Sequence, residues 1–415
     1  MAEYTIVGDM PLVLVTGASG FIASHIIQQL CSEGYRVRGT VRNRKKCDLS
    51  HLLTGDKNDI ELIECDLNSD KNWRKAVEKC DYVIHTAGIL PSFRGAKKTQ
   101  EDFLTPTIQG MQRILNACLQ SRSVKKLVYT STNGAMEALP SADPNTSCVF
   151  VSPEIWTDVT KPHVSFYAKS KTLAEKLAFD FVAKHNYPFQ VVSIAPTLTL
   201  GPVLAPRFPE SLSAIALLFN KHTAIPKIHY SICDVRDVAS AHIAALTCDK
   251  ANGKRYLICS DSIWYADIAK YLHFEFGTKG FIVSQRFEPY EYFVKKTSDS
   301  AFIRNLVLPM YGKLRVCDSK STGSDLRVVH RPIRDVLFDS IKVSKCKICV
   351  CILNFDQGQI KCLKSFLFLF LTRKNNNKNT LTNNINFFVQ ILPQRKARII
   401  GSPSVHFAKK KKKKN

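Results

Sequence analysis

Nowhere in the 415 residues is there a run of the roughly 18 to 20 apolar residues that a membrane-crossing helix needs. The longest candidates, around Val13 and from Phe366 to Leu371, are far too short, so no membrane span is expected. The 14 cysteines recur at no fixed spacing and no signal peptide precedes them, which argues against a secreted disulfide framework. They read as reduced, mostly buried thiols, and the expected location is cytoplasmic. No internal period of solenoid length is present. With 45% apolar and 23% charged residues, the chain as a whole is neither a disordered nor a collagen-like polymer. Its length suits one large α/β domain with a second lobe, or two ordinary domains.

The formal charge of +24, from 59 Lys and Arg against 35 Asp and Glu, would alone point to nucleic acid or a membrane surface. Its distribution removes that reading. Residues 346–415 hold 15 Lys and Arg against one acid, Asp356, and so carry +14 of the total. This tail is rich in Asn, Lys, Phe and Ile, keeps no helical or strand period, and closes on the lysine run Lys409 to Lys414. It is expected to be disordered, or a conceptual translation past the true end into untranslated A/T-rich sequence, since AAA reads as lysine; a basic disordered arm is the alternative. Cys346, Cys349 and Cys351 within it resemble half of a metal or redox motif, and no metal is assigned. No nucleic-acid partner is expected.

Upstream, short apolar runs alternate with helix-length segments. Strands are predicted at Pro11–Thr16, Arg36–Val41, Ile60–Cys65, Tyr82–His85, Lys126–Ser131 and Phe189–Ile194, with helices at Phe21–Leu30 and Ser165–Lys184. That order predicts an α/β fold built on a parallel sheet covered on both faces. Beyond Pro196, prolines at 202, 206 and 209 break the rhythm, and shorter helices around Leu212–Phe219, Val235–Leu246 and Ala266–Phe276 read as a smaller lobe. The expected division is 1–195, 196–345 interleaved with the first, and the tail 346–415.

The first strand ends in T-G-A-S-G-F-I-A, Thr16 to Ala23. Gly17 lets the chain leave the strand sharply, Gly20 lets backbone approach a pyrophosphate, and Ala23 keeps the helix close to the sheet. The helix N-terminus offers free N–H groups to phosphates. After a first strand and before a helix, this is the turn of a Rossmann-type doubly wound sheet that binds a dinucleotide. The second strand ends in Arg42, with Lys45 and Lys46 a turn later and no acid before Asp48. Cations there suit an adenosine 2′-phosphate, so NADPH/NADP is the expected cofactor; a solvated basic face is the competing reading. Asp66, after the third strand, suits the adenine edge or a helix cap.

Tyr167 and Lys171 lie four apart at the start of a helix and share one face. A phenol beside an ammonium is a proton donor with its tuner, because the cation favours the phenolate. The fifth strand ends in Ser131 and Thr132, whose adjacent side chains point to opposite faces, so one of them can hold a substrate oxygen.

Together these segments resemble the extended short-chain dehydrogenase/reductase family, in the branch of dihydroflavonol reductases, cinnamoyl-CoA reductases and yeast-type NADPH-dependent aldehyde and methylglyoxal reductases. The resemblance is carried by TGASGFIASH (16–25), GTVR (39–42), CDL (65–67), VIHTAG (83–88), VYTST (128–132), YAKSK (167–171), PTLTLGP (196–202), DVRDVASAH (234–242) and RYLICS (255–260), and spans residues 10 to 345. It implies Tyr167 as general acid, Lys171 as ribose ligand and tuner, and Thr132 as the catalytic hydroxyl in place of the family's usual serine. It places cofactor contacts on Thr16, Gly17, Ser19, Gly20, Phe21 and Ile22, on Arg42 and Lys46, on Asp66 and Leu67, on Thr86, Ala87 and Gly88, on Thr130, and on Pro196, Thr197 and Leu198.

The implied reaction is reduction of an aldehyde or ketone to an alcohol. Segments 89–95, 133–137 and 203–228 should hold the substrate; Arg207, Lys221 and Lys227 are their candidate cations, too few for a nucleotide-sugar diphosphate. A hydrophobic carbonyl compound, aromatic or steroid-like, is therefore expected. A hydroxysteroid dehydrogenase, a nucleotide-sugar epimerase or dehydratase, and a non-catalytic NADP-binding sensor are the alternatives. The chain is expected to be a monomer or a homodimer.

Overall fold

Unbroken apolar runs make the central strands, as burial on both faces of a parallel sheet demands. Leu12–Thr16 (β1), Arg36–Val41 (β2), Glu61–Glu64 (β3), Tyr82–His85 (β4), Lys126–Thr130 (β5), Gln190–Pro196 (β6) and Arg255–Ile258 (β7) form one sheet in the order β7-β6-β5-β4-β1-β2-β3. Every neighbouring pair is parallel. The computed structural model describes residues 10–52, 60–91, 99–138, 148–162, 164–205, 208–298, 300 and 303–341. The chain divides into two units, Met1–Phe355 and Asp356–Asn415, and every described residue belongs to the first. The tail with its cysteine trio and lysine run, Arg207, and 92–95 of the first substrate segment lie outside the described residues.

Alternation along the strands sends residues to two separate cores. Val13, Val15, Ile84 and Val128 pack with Ile26, Ile27 and Leu30 of helix Phe21–Ser32 (α1). Leu12, Leu14, Val83 and Leu127 face the other way, onto Met111 and Ile114 of Glu101–Ser121 (α2) and Ala174, Ala178 and Phe181 of Phe166–Lys184 (α3). A fully buried Leu or Ile side chain contributes about 1.5–3 kcal/mol, so each face is held by many such increments. Ser165 begins α3 by accepting the Ala168 N–H at 3.1 Å, an N-cap that fixes where the Tyr167 and Lys171 face starts. Among the described residues no helix is long and apolar enough to cross a membrane.

The smaller lobe differs from its sequence reading in one respect. Val235–Thr247 (α4), grouped by its sequence position with that lobe, packs against the first core through Val238, Ala241 and Ala245, and β7 after it completes the main sheet. The sixth strand also runs on through Pro196, paired with Ile258. The lobe itself is built on two three-stranded sheets. One joins Leu198–Leu200, His229–Asp234 and Asp261–Trp264; the other joins Glu137–Ala138, Cys148–Val151 and Leu314–Cys317. Leu212, Ile215 and Phe219 pack there against Tyr265, Leu272 and Phe276.

Candidate active site

The C-terminal ends of β1, β4, β5 and β6 lie side by side, and the loops leaving them form the site. Gly17 has φ +67°, and a Cβ on it would sit 3.0 Å from the Ala87 Cα, so the first turn passes directly against the loop after β4. Two threonines lock those loops together. Thr86 Oγ1 donates to the Thr16 carbonyl at 2.5 Å, and the Thr16 hydroxyl accepts the Ala87 N–H at 3.1 Å while lying 2.7 Å from His85 Nδ1. Ser19 is exposed and Phe21 and Ile22 half-buried; Gly20 is the N-cap of α1, and no side chain caps that first turn. A helix start with no side-chain cap behind two glycines is a cradle that fits a pyrophosphate.

Across the sheet, Arg42 is exposed at the end of β2 and makes no hydrogen bond or ion pair with the described residues. Lys45 and Lys46 are exposed in the turn Arg44–Lys46, closed by the Lys46 N–H on Asn43 Oδ1 at 3.2 Å. Asp66 is half-buried and accepts the Asn68 N–H at 2.8 Å, a local turn bond that uses Oδ1. Leu67 is held by α2, its carbonyl accepting from Arg113 Nη1 at 2.7 Å. On the opposite flank Pro196 ends β6, and Thr197 spends both its N–H and its hydroxyl on the Ile258 carbonyl, at 3.1 and 3.0 Å. Leu198 opens the next strand, half-buried. β2 and β6 are four inter-strand gaps apart, about 19 Å.

Between these flanks stand the reaction-centre candidates. Lys171 is buried, and its Nζ donates to the Thr130 carbonyl at 2.7 Å and lies 4.7 Å from the Tyr129 ring centroid. Gly88 closes over it: a Cβ there would meet Nζ at 3.3 Å. Burial pulls the Lys171 ammonium down to about 8, with Glu175 opposing. Ser131 turns away and donates to Glu175 at 2.5 Å, so Thr132 is the hydroxyl left beside Tyr167.

Burial pushes the Tyr167 phenol up to about 12, and the group that pulls it down is Thr132. One N–H of the Lys171 ammonium is spent on the Thr130 carbonyl.

Several residues that complete this arrangement escaped the sequence reading. His242 of α4 brings Nε2 to 2.7 Å from Thr130 Oγ1 and Nδ1 to 2.8 Å from the Val238 carbonyl. Desolvation lowers it to about 4, and lowers His85 to about 3, with the Lys171 cation contributing in both. Glu175 pairs with Arg255 at 2.8 Å in the interior. Glu175 had a visible signal, since 167, 171 and 175 continue one helix face; His242 and Arg255 stand in the quoted segments DVRDVASAH and RYLICS, but arrive from distant elements and no spacing gave their roles. In the substrate segment, Glu137 accepts from Asn133 Nδ2 at 2.7 Å and forms an ion pair with Arg315. Arg315, brought in by Leu314–Cys317, corrects the expectation that Arg207, Lys221 and Lys227 are the only cations near. Lys221 is exposed, and Lys227 lies over the Trp264 ring at 5.5 Å.

Residues 13–259 match the model of the NAD dependent epimerase/dehydratase family. A cinnamoyl-CoA reductase of Medicago truncatula is 35% identical over 253 residues, covering 60% of this chain and 76% of that one. A dihydroflavonol 4-reductase of Callistephus chinensis is 35% identical over 266 residues, covering 60% and 68%. Among solved structures, Gre2 of Candida albicans in complex with NADPH superposes with a TM-score of 0.64 at 26% identity, covering 80% of this chain and 98% of that one.

Proposed function

We propose the function of this chain from one premise, that it belongs to the NAD-dependent epimerase/dehydratase family and, within it, to the extended short-chain dehydrogenases/reductases: this oxidoreductase reduces an aldehyde or ketone with NADPH. The observation that carries the reading is the convergence of Thr132, Tyr167 and Lys171 at the strand ends that also carry the glycine turn. NADPH, when bound, supplies the hydride that the carbonyl carbon receives. The first turn of α1 and Gly17 and Gly20 would hold its pyrophosphate, Arg42 with Lys46 its 2′-phosphate, and Lys171 a ribose hydroxyl. Thr86, Ala87 and Gly88, with Pro196, Thr197 and Leu198, would wall the nicotinamide end.

Tyr167 is the proton donor. With its phenol near 12 it is fully protonated at neutral pH, and it gives that proton to the oxygen as negative charge develops there. Thr132, with one hydroxyl proton, donates it to the same oxygen as charge develops there. Lys171, cationic below about 8, orients the ribose and lends its charge to the same space once a ligand draws Nζ away from Thr130. Among the described residues the cations beside the 133–137 segment are already paired, Arg315 with Glu137 and Arg255 with Glu175, which supports an uncharged, hydrophobic carbonyl substrate over a diphosphate.

Tyr167→Phe tests the reading. NADPH affinity should be unchanged while turnover across a panel of aldehydes, diketones and ketones falls by about 10²–10⁴-fold. Turnover within a few-fold of the unmodified chain would remove Tyr167 from the mechanism.

A further inference from the structure

Glu175 lies one helical turn beyond Lys171 on α3 and is fully buried. Both of its oxygens are committed: Oε2 accepts from Ser131 Oγ at 2.5 Å and Oε1 from Arg255 Nε at 2.8 Å. Arg255 is fixed in turn. Its Nη1 donates to the Pro153 and Ile155 carbonyls at 2.8 and 2.6 Å, its Nη2 to the Ala135 carbonyl at 2.9 Å, and its guanidinium lies 3.6 Å from the Trp156 ring centroid. A buried ion pair is weak support for stability, because well-packed apolar residues of the same volume often do as well or better. A charge kept here asks for a use.

The surroundings of Lys171 supply one. From β5 it is faced by the Thr130 carbonyl and the Tyr129 ring, from β4 by His85, from α4 by His242, and along its own helix by Tyr167 and Glu175. Both histidines are held neutral by burial, and both tyrosines keep their protons. Glu175 is therefore the anion that faces Lys171 among the described residues.

We propose that Glu175 is a positioning residue that keeps Lys171 cationic at working pH, with Arg255 and Ser131 fixing its carboxylate where it acts. The kinetic consequence rests on the reductase reading; the titration does not. Burial alone drives the buried ammonium toward neutrality, and an opposite charge one turn away restores it. Arg255 and Ser131 hold the carboxylate in place, and the ties of Arg255 to three carbonyls keep it from swinging toward Lys171.

The test uses the full chain labelled with ¹³C at lysine Cε, the Lys171 resonance being assigned by its loss in Lys171→Met. The midpoint of its shift against pH should fall by about one unit in Glu175→Gln and return to within a few tenths in Glu175→Asp, which keeps the charge. A purely structural role would lower thermal stability in Glu175→Gln with the midpoint unmoved, and that result overturns the proposal. Should Glu175→Gln fail to fold with Arg255 left unpaired, Glu175→Gln/Arg255→Met removes both charges; it should show a smaller fall, because the more distant Arg255 cation that opposes Glu175 goes with it, and a midpoint that stays or rises there is equally fatal. In turnover, the high-pH limb should shift by the same unit, about tenfold slower near pH 8.5 and nearly unchanged near pH 6. A chain that reduces no carbonyl removes the reductase reading and leaves the titration to decide this one. An active enzyme whose Lys171 ignores Glu175→Gln removes this proposal alone.

Discussion

Arg42→Ala should separate the two nicotinamide cofactors. Arg42 is exposed and makes no bond with the described residues, so truncating it should leave folding stability within about 0.5 kcal/mol. What it loses is a charge-assisted hydrogen bond to a phosphate, worth about 1.5–3 kcal/mol. At about 1.4 kcal/mol per tenfold, that weakens NADPH binding by about 10- to 150-fold. Lys45 and Lys46 remain one turn away and the site is open to salt, so the lower end applies at physiological ionic strength and a larger factor at low salt. NADH, which lacks the phosphate, should bind unchanged. Fluorescence titration of both cofactors at two ionic strengths measures this, with thermal unfolding as the control. An equal loss for both cofactors, or no loss for NADPH, would refute the placing of the phosphate on Arg42.

Three further outcomes follow from the same geometry. Thr132→Ser should keep activity within a few-fold, since the hydroxyl is retained and a χ1 restriction is lifted, whereas Thr132→Val should lower kcat by about 10²–10³-fold at unchanged NADPH affinity, read from steady-state kinetics. Gly17→Val forces a side chain into φ +67° and against Ala87, so cofactor binding should be lost and the chain destabilised by at least about 1–3 kcal/mol, a drop visible in thermal unfolding. The chain should also lose stability in mild acid. His85 and His242 titrate near 3 and 4 folded, below the ordinary 6.5; below pH 6.5 the unfolded chain therefore binds protons that the folded chain refuses, and the penalty grows until the folded values are reached. At pH 5 that is about 2 kcal/mol for each histidine. A denaturation midpoint flat between pH 7 and pH 5 would contradict it.

The sheet was legible because its signal is local. Leu12 to Val15 is apolar without a break, a glycine turn follows Thr16, and the next helix begins at Phe21; each step is decided within a few residues. Tyr167 and Lys171 were legible for the same reason, being one turn apart. Pro196 misled because proline usually ends a strand, yet at the end of β6 it still pairs with Ile258. The partners of Lys171 were hidden because they come from elsewhere: Thr130 from β5, His242 from α4, and Arg255, which holds Glu175, from the strand that closes the sheet. No spacing in one sequence encodes a contact between residues 80 apart. The spacing of Tyr167 and Lys171 gives a shared helix face, whereas the reach of Lys171 Nζ to the Thr130 carbonyl is set by β5 and could not be read from it.

The arrangement around Lys171 explains why two histidines sit in the interior of a site that uses neither as acid nor base. A desolvated ammonium is costly, and a second cation beside it more so. His85 and His242 answer this by staying neutral, each with a hydrogen-bonding threonine: Thr16 on His85, Thr130 on His242. His242 donates Nδ1–H to the Val238 carbonyl, which leaves Nε2 to accept the Thr130 hydroxyl proton, while the carbonyl of the same residue, held in β5, receives Lys171. Among the described residues facing that space, Tyr167 is the proposed proton donor and Lys171 the cation. Everything else there is neutral or, like Glu175, already paired. Substituting His242 by a residue that cannot accept at Nε2 leaves the buried Thr130 hydroxyl without its partner beside Lys171, so it should loosen the packing around Lys171 without touching a ligand. A small loss of kcat with a large loss of cofactor affinity is the signature expected of His242→Phe, and an equal fall in stability with both constants unchanged would show that the histidine only fills space.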